Sequence, residues 1–306
     1  MSIVNTSVPI TSQSANRMIE KLVETYPFIR SEVLATTVFQ RPVRTLVLGT
    51  GERKVLFTAA HHANEWITAL LLLKFAEEFA EAIQTDGKIY GVPAQTIAKY
   101  TTVYLVPLVN PDGVDLVTGV LKPGDIQYDL AKRLSQDYPE IPFPEGWKAN
   151  LLGVDLNLQY PAGWLQAREI KFSQGYTQPG PRDYVGRAPL NQVETKALAD
   201  YTEALDPALV LAFHTQGKEI YWQFGDFFVP GAKELAEEFG RVSGYAVADT
   251  PYESGFAGYK DWFIQYFRKP GFTIEAGKGV NPLPMEQFPE IYRDNLGILV
   301  TAATGI

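Results

Sequence analysis

Short apolar runs interleaved with stretches of helical period constrain this chain more than any other feature. Residues 54–60 (KVLFTAA), 101–108 (TTVYLVPL), 208–215 (ALVLAFHT) and 272–276 (FTIEA) read as strands. Runs this apolar suit strands covered on both faces. Between them, Leu70, Leu73, Phe75, Phe79 and Ile83 fall near helical spacing, which predicts an amphipathic helix over 65–83. Asn191, with Glu194 three residues on, resembles a capping box opening a helix to about residue 205. Further helices are expected at 232–242, 259–267 and 285–301. The alternation argues for an α/β fold with a mostly parallel or mixed sheet, covered on both faces. Two polar, turn-rich sections, 121–149 and 160–187, read as long loops, and such loops in compact domains are usually functional.

The length of 306 residues allows one large domain or two small ones, and no linker or repeat divides it. There are no cysteines, which removes thiolate zinc sites, thiol nucleophiles and disulfide frameworks together. The net charge of −8 comes without a basic stripe, so nucleic acid is not an expected partner. Residues 1–21 show no basic segment followed by an apolar stretch, so no Sec signal is expected. The longest apolar run, 67–75, is broken by Thr68 and Lys74 and is too short to span a bilayer. The expectation is a soluble, cytoplasmic protein with no membrane partner, with release by lysis or packaging in spores left open. Residues 1–15 are expected to form a loosely ordered arm.

Chemistry concentrates on few residues. The three histidines are His61, His62 and His214. His62 and Glu65 stand i, i+3 at a strand-to-helix junction, where both side chains can face one ion. His214 ends another predicted strand and is the candidate third ligand. A catalytic zinc takes such imidazole and carboxylate donors and keeps one position open. A bare H-x-x-E arises often by chance, and a histidine at a strand end is commonly a packing residue. The pairing gains weight because both fall at the C-terminal ends of strands, where ligands bind in open α/β sheets. His61, four residues from Glu65, is the alternative to His62; its other reading is structural. Glu275 is the single acid of an apolar strand, a costly placement unless it is paired or functional. It reads either as a structural acid or as a general base.

These residues fall within motifs. HHANEWIT resembles the H-x-x-E-W-I motif of the M14 family of zinc carboxypeptidases. Asn110-Pro111-Asp112-Gly113 resembles its NPDG turn, and Gly153-Val154-Asp155-Leu156-Asn157 its GVDxN motif. His214-Thr215, Asp261-Trp262 and Phe272-Thr273-Ile274-Glu275 follow in the family's order. The resemblance implies a single carboxypeptidase-like α/β domain: a mixed, mostly parallel twisted sheet of about eight strands with helices on both faces. It implies one zinc ion held by His62, Glu65 and His214, with Glu275 as general acid/base. Lys148 falls where the family usually has an arginine that polarises the scissile carbonyl. Asn157 matches the asparagine of an Asn-Arg pair that grips a terminal carboxylate, but Leu158 stands where that arginine would be. A guanidinium is the natural clamp for a free α-carboxylate, so its loss speaks against ordinary carboxypeptidase action.

GVDLNLQYP, HTQGKEIYW and EAGKGVNPLP resemble the bacterial γ-D-glutamyl-meso-diaminopimelate peptidases within that family. This implies a peptidoglycan-derived peptide as substrate, cut between D-Glu and diaminopimelate. Gly277, Gly279, Asn281 and the loop from Gln216-Gly217 are the expected substrate walls, with Tyr252 or Tyr259 as a cover. The competing readings are an exo-acting carboxypeptidase on ordinary peptides and a non-catalytic cell-wall peptide receptor.

Overall fold

The computed structural model describes residues 2–305. Its centre is a seven-stranded mixed sheet: β1 Leu46–Leu48, β2 Arg53–Ala59, β3 Thr101–Val106, β4 Leu209–His214, β5 Glu219–Tyr221, β6 Ala246–Ala248 and β7 Gly271–Glu275, in the spatial order β6-β5-β7-β4-β2-β3-β1. The four long strands β3, β2, β4 and β7 are mutually parallel. The edges break the pattern, because β1 runs antiparallel to β3 and β5 antiparallel to β7.

The strand count is seven rather than about eight. The three strands absent from the sequence reading, β1, β5 and β6, are each three residues long. The central strands are buried as their composition requires. All six residues of β4 and Val55–Ala59 of β2 are closed off from solvent.

Helices cover both faces. On one side lie Ile67–Gln84 and Phe288–Thr304, packed around Leu70, Leu72, Phe75 and Ile298. On the other, Val193–Leu205 and Tyr259–Phe267 bring Leu198, Trp262 and Phe263 against Leu56 and Val210. The helix Ile67–Gln84 departs from the amphipathic expectation. It is buried almost all round, because Ser12–Thr25 and Phe288–Thr304 pack on it from outside the sheet.

Other readings also shift. Asn191 does not cap a helix: Val193–Leu205 starts from Gln192 with no side-chain cap, and Asn191 Oδ1 accepts from Gln192 Nε2 at 3.0 Å. The two long loops each contain a helix, Ile126–Ser135 and Trp164–Ser173. Residues 2–15 are no loose arm. Val4 and Ile10 join the core, Ser2 Oγ donates to Glu77 at 2.7 Å, and Thr11 and Ser14 cap the first helix reciprocally. No helix among the described residues is long and apolar enough to cross a membrane.

Candidate metal centre and active-site cleft

Parallel pairing fixes where the chemistry sits. β2, β4 and β7 end on the same edge of the sheet, in the order β2, β4, β7. β2 leads through Ala60 into His61 and His62, β4 ends on His214, and β7 ends on Glu275, in register with His214. A short 3-10 turn, Ala63–Glu65, then returns Glu65 toward His62.

The three proposed ligands converge. His62 Nδ1 lies 2.9 Å from Glu65 Oε1, His214 Nδ1 2.9 Å from Glu65 Oε2, and the two Nδ1 atoms 3.2 Å from each other. His62 Nε2 faces Asp155 Oδ1 at 3.0 Å. That carboxylate accepts a hydrogen bond from Nε2–H, so neutral His62 turns its Nδ1 lone pair toward His214 Nδ1 and the Glu65 oxygens. Electron-rich atoms so placed are balanced either by a proton or by a cation. With protons alone, burial opposes a charge on His62, yet Glu65 and Asp155 outweigh it and raise the imidazole to about 9. Burial would likewise push Glu65 up, but His62 and Lys148 hold it well below the usual carboxylate range. Imidazole nitrogens and a carboxylate are the donors zinc prefers, and an imidazole whose other nitrogen meets a carboxylate is the usual outer support. The set therefore fits a zinc ion.

His61 is separate from this cluster. Its Nε2 is 3.3 Å from the Tyr160 hydroxyl and its ring stacks on His214 at 5.7 Å. Burial, followed by the neighbouring His214 and His62, keeps it neutral. Of the two alternatives, His62 is the one that faces Glu65 and His214.

Lys148 Nζ lies 3.2 Å from Glu65 Oε1. It reaches this position because Ala63 N–H donates to Lys148 O at 2.9 Å. Asn110 adds a clamp, its Nδ2 donating to His61 O at 3.2 Å and to Ala149 O at 3.0 Å. Glu275 is half-buried, and burial followed by the charge of Glu65 pushes it up to about 8. A dication held by the neighbouring ligands would oppose that shift and favour Glu275 as a general base.

These groups line a cleft of about 1050 Å³. Asn157 and Leu158 lie in its wall. Asn157 Oδ1 accepts from Tyr259 N–H at 3.0 Å, and Leu158 packs with Trp164 and Val185. Gln216, Gly279 and Asn281 also line it, and Asn281 Nδ2 donates to Thr215 O at 3.1 Å. Two expected walls do not. Gly217 N–H donates to Gly277 O at 2.9 Å, lacing two loops together behind the surface, and neither glycine lines the cleft. Gly277 is held by its backbone, with φ +71° and no room for a Cβ beside Leu283. Tyr252 also stands apart, exposed at the rim with its hydroxyl accepting from Gln166 Nε2 at 2.8 Å. Tyr259 is wholly buried against Thr202.

Asp155 lies in the GVDxN motif, and in the fold it supports His62. Besides His62, it accepts from Asn157 N–H at 3.1 Å and Asp183 N–H at 3.3 Å. Its signal was the same as that of Glu275: one acid set between apolar neighbours. The cleft also holds a buried ion pair, Lys260 Nζ to Asp261 Oδ1 at 2.6 Å.

A parallel-core α/β sheet with two imidazoles and a carboxylate converging at its strand ends, flanked by a glutamate and a lysine in an open cleft, defines a zinc metallopeptidase centre. A model of the Peptidase_M14 family, zinc carboxypeptidase, matches residues 15–297, and the chain belongs to that family. It is 42% identical over 282 residues to gamma-D-glutamyl-L-diamino acid endopeptidase 1 of Lysinibacillus sphaericus, covering 92% of this chain and 69% of that protein. It is 37% identical over 289 residues to the protein YqgT of Bacillus subtilis, covering 94% and 75%. Among solved structures, thrombin activatable fibrinolysis inhibitor shares the fold with a TM-score of 0.78 at 17% identity, covering 100% of this chain and 77% of that one.

Proposed function

We propose that this protein hydrolyses the bond between the γ-carboxyl of D-Glu and meso-diaminopimelate in peptidoglycan stem peptides. The observation that carries this reading is Leu158: a buried leucine occupies the carboxylate-clamp position within an otherwise complete hydrolytic site. The leaving residue is therefore not gripped by a guanidinium at that point, as a terminal α-amino acid would be. The L. sphaericus relative supports the reading through the activity in its name. So does the buried Lys260–Asp261 pair, which offers both signs of charge. The diaminopimelate side chain ends in an ammonium and a carboxylate, and a recognition site for it needs both.

His62, Glu65 and His214 would hold the zinc, which would supply Lewis acidity toward water and the scissile carbonyl. Glu275 takes a proton from the attacking water and returns it to the leaving amine. Lys148 stabilises the oxyanion as a point charge, without the planar fork of an arginine. Asp155 holds His62 in the tautomer that leaves Nδ1 free for the metal.

The test is a digest of defined tri- and tetrapeptides followed by mass spectrometry. Chelator-sensitive release of diaminopimelate peptides, with no trimming of ordinary C-terminal residues, is expected. Trimming of ordinary peptides would instead favour an exo-acting carboxypeptidase. No release from either class, with zinc in place, would favour a receptor.

A further inference from the structure

One charge cluster in the cleft has no task in the hydrolytic steps. The chain at residues 180–183 runs directly against the Lys148 segment: Lys148 N–H donates to Pro181 O at 2.7 Å, and Ala149 N–H to the same carbonyl at 2.9 Å. The next residue, Arg182, is the only arginine lining the cleft among the described residues. Its Nε lies 2.5 Å from Asp183 Oδ2. On the other side of that carboxylate, Lys171 Nζ lies 2.8 Å from Asp183 Oδ1, and Lys171 is 6% exposed. Asp183 is thus balanced from within by Lys171. Among the described residues, the terminal nitrogens of Arg182 have no hydrogen-bond partner. Two cations share this one carboxylate, and the planar guanidinium of Arg182 keeps donors to spare.

The substrate class supplies a matching anion, and this step rests on the reading given above. An α-linked residue has its backbone carbonyl consumed in the scissile bond and carries no free carboxylate there. A γ-linked glutamate keeps its α-carboxylate, separated from the scissile carbonyl by three carbons on the acyl side. Asn157 and Leu158 mark the flank of the leaving residue, and we place the acyl residue along the Lys148 segment, whose N–H groups the Arg182 segment accepts from. We propose that Arg182, held by the Asp183–Lys171 pair, binds the free α-carboxylate of the γ-linked glutamate and so selects γ-glutamyl over ordinary acyl groups. In this arrangement the guanidinium missing at Leu158 is not lost from the site. It stands instead on the acyl flank, where the substrate's free carboxylate lies.

The experiment uses two substrates that differ at one group: L-Ala-γ-D-Glu-diaminopimelate and the same peptide with the glutamate α-carboxylate converted to a carboxamide. The zinc-loaded wild type is compared with Arg182→Gln and Arg182→Lys. The wild type is expected to prefer the carboxylate by about 10- to 100-fold in kcat/KM, the usual worth of a charge-assisted pair in a partly exposed site. In Arg182→Gln that preference falls toward one, chiefly through KM, and Arg182→Lys restores part of it. Two results would overturn the assignment: no wild-type preference, or an Arg182→Gln variant that loses activity equally on both substrates and keeps the preference. Failure of the wild type to cleave either peptide would sink the bond specificity itself, and the anchor with it. Cleavage of both at equal rates removes the anchor alone.

Discussion

At the scale of single residues, the centre depends on carboxylates that differ in task because they differ in surroundings. Asp155 is ringed by donors. Burial alone would raise it, but His62 and Lys148 hold it well below the ordinary carboxylate range, so it stays ionised as an acceptor. Glu275 is pushed up instead, by burial first and then by the charge of Glu65. Separate removal should therefore give separate phenotypes. Asp155→Ala is expected to weaken zinc binding by about 10- to 100-fold, measured by competition with a coloured chelator. Glu275→Gln should keep its zinc and lose about 10²- to 10⁴-fold in kcat, measured as turnover alongside metal content. If Glu275→Gln lost its zinc instead, the residue would belong with the ligands. Lys148 differs again, since its partner Glu65 outweighs the cost of burial and keeps it protonated.

At the scale of elements, the site is a consequence of parallel pairing plus one tight helix start. The helix Pro111–Val117 begins at Asn110, whose side-chain oxygen accepts from Gly113 N–H at 3.0 Å. At Gly113 the helix meets both the metal-ligand turn and the Lys148 segment. A Cβ there would lie 2.7 Å from Ala149 O and 2.8 Å from Ala63 Cβ. The glycine of the NPDG motif is thus required by close approach rather than by a turn. Gly113→Ala is expected to destabilise the fold by about 1–3 kcal/mol and to reduce zinc affinity, because the residue it pushes on precedes Glu65 by two. Denaturant unfolding and a zinc titration check the two effects. What the sequence made legible follows the same logic. Runs of five to eight mostly apolar residues announce β2, β3, β4 and β7, and of these β2, β4 and β7 place His62, His214 and Glu275. The three-residue strands β1, β5 and β6 hold too few residues to show a period, and their pairing is decided by neighbours remote in sequence. Gly217 and Gly277 were readable as special positions. Whether a glycine lines a cleft or laces two loops behind it depends on where the loops meet, which local sequence does not encode.

At the scale of the whole molecule, the cleft is joined to the sheet's outer helices through buried polar groups, and one of them ties stability to pH. Glu194, 3% exposed in the first turn of Val193–Leu205, receives Asn150 Nδ2 at 3.4 Å from the segment that carries Lys148. In the sequence this residue reads as the acid of a capping box. In the fold it turns inward, and burial, with Asp112 adding to it, raises it to about 7 against an ordinary 4.5. The folded state therefore holds a proton that the unfolded chain releases near pH 4.5. The stability this supplies is complete below about 4.5 and is lost as pH rises through about 7. A shift of this size corresponds to about 3 kcal/mol. The ligand-cluster carboxylates work in the opposite sense, since their depressed values cost stability in acid, so the wild-type profile alone mixes the two. The difference between wild type and Glu194→Gln isolates the glutamate. The amide keeps an acceptor for Asn150 and stays neutral at every pH. Urea unfolding at constant excess zinc should show the variant near wild-type stability at pH 5 and gaining on it by about 2–3 kcal/mol by pH 8. Parallel profiles across that window would mean that Glu194 is ionised in the folded protein, and that a cation or water balances it inside.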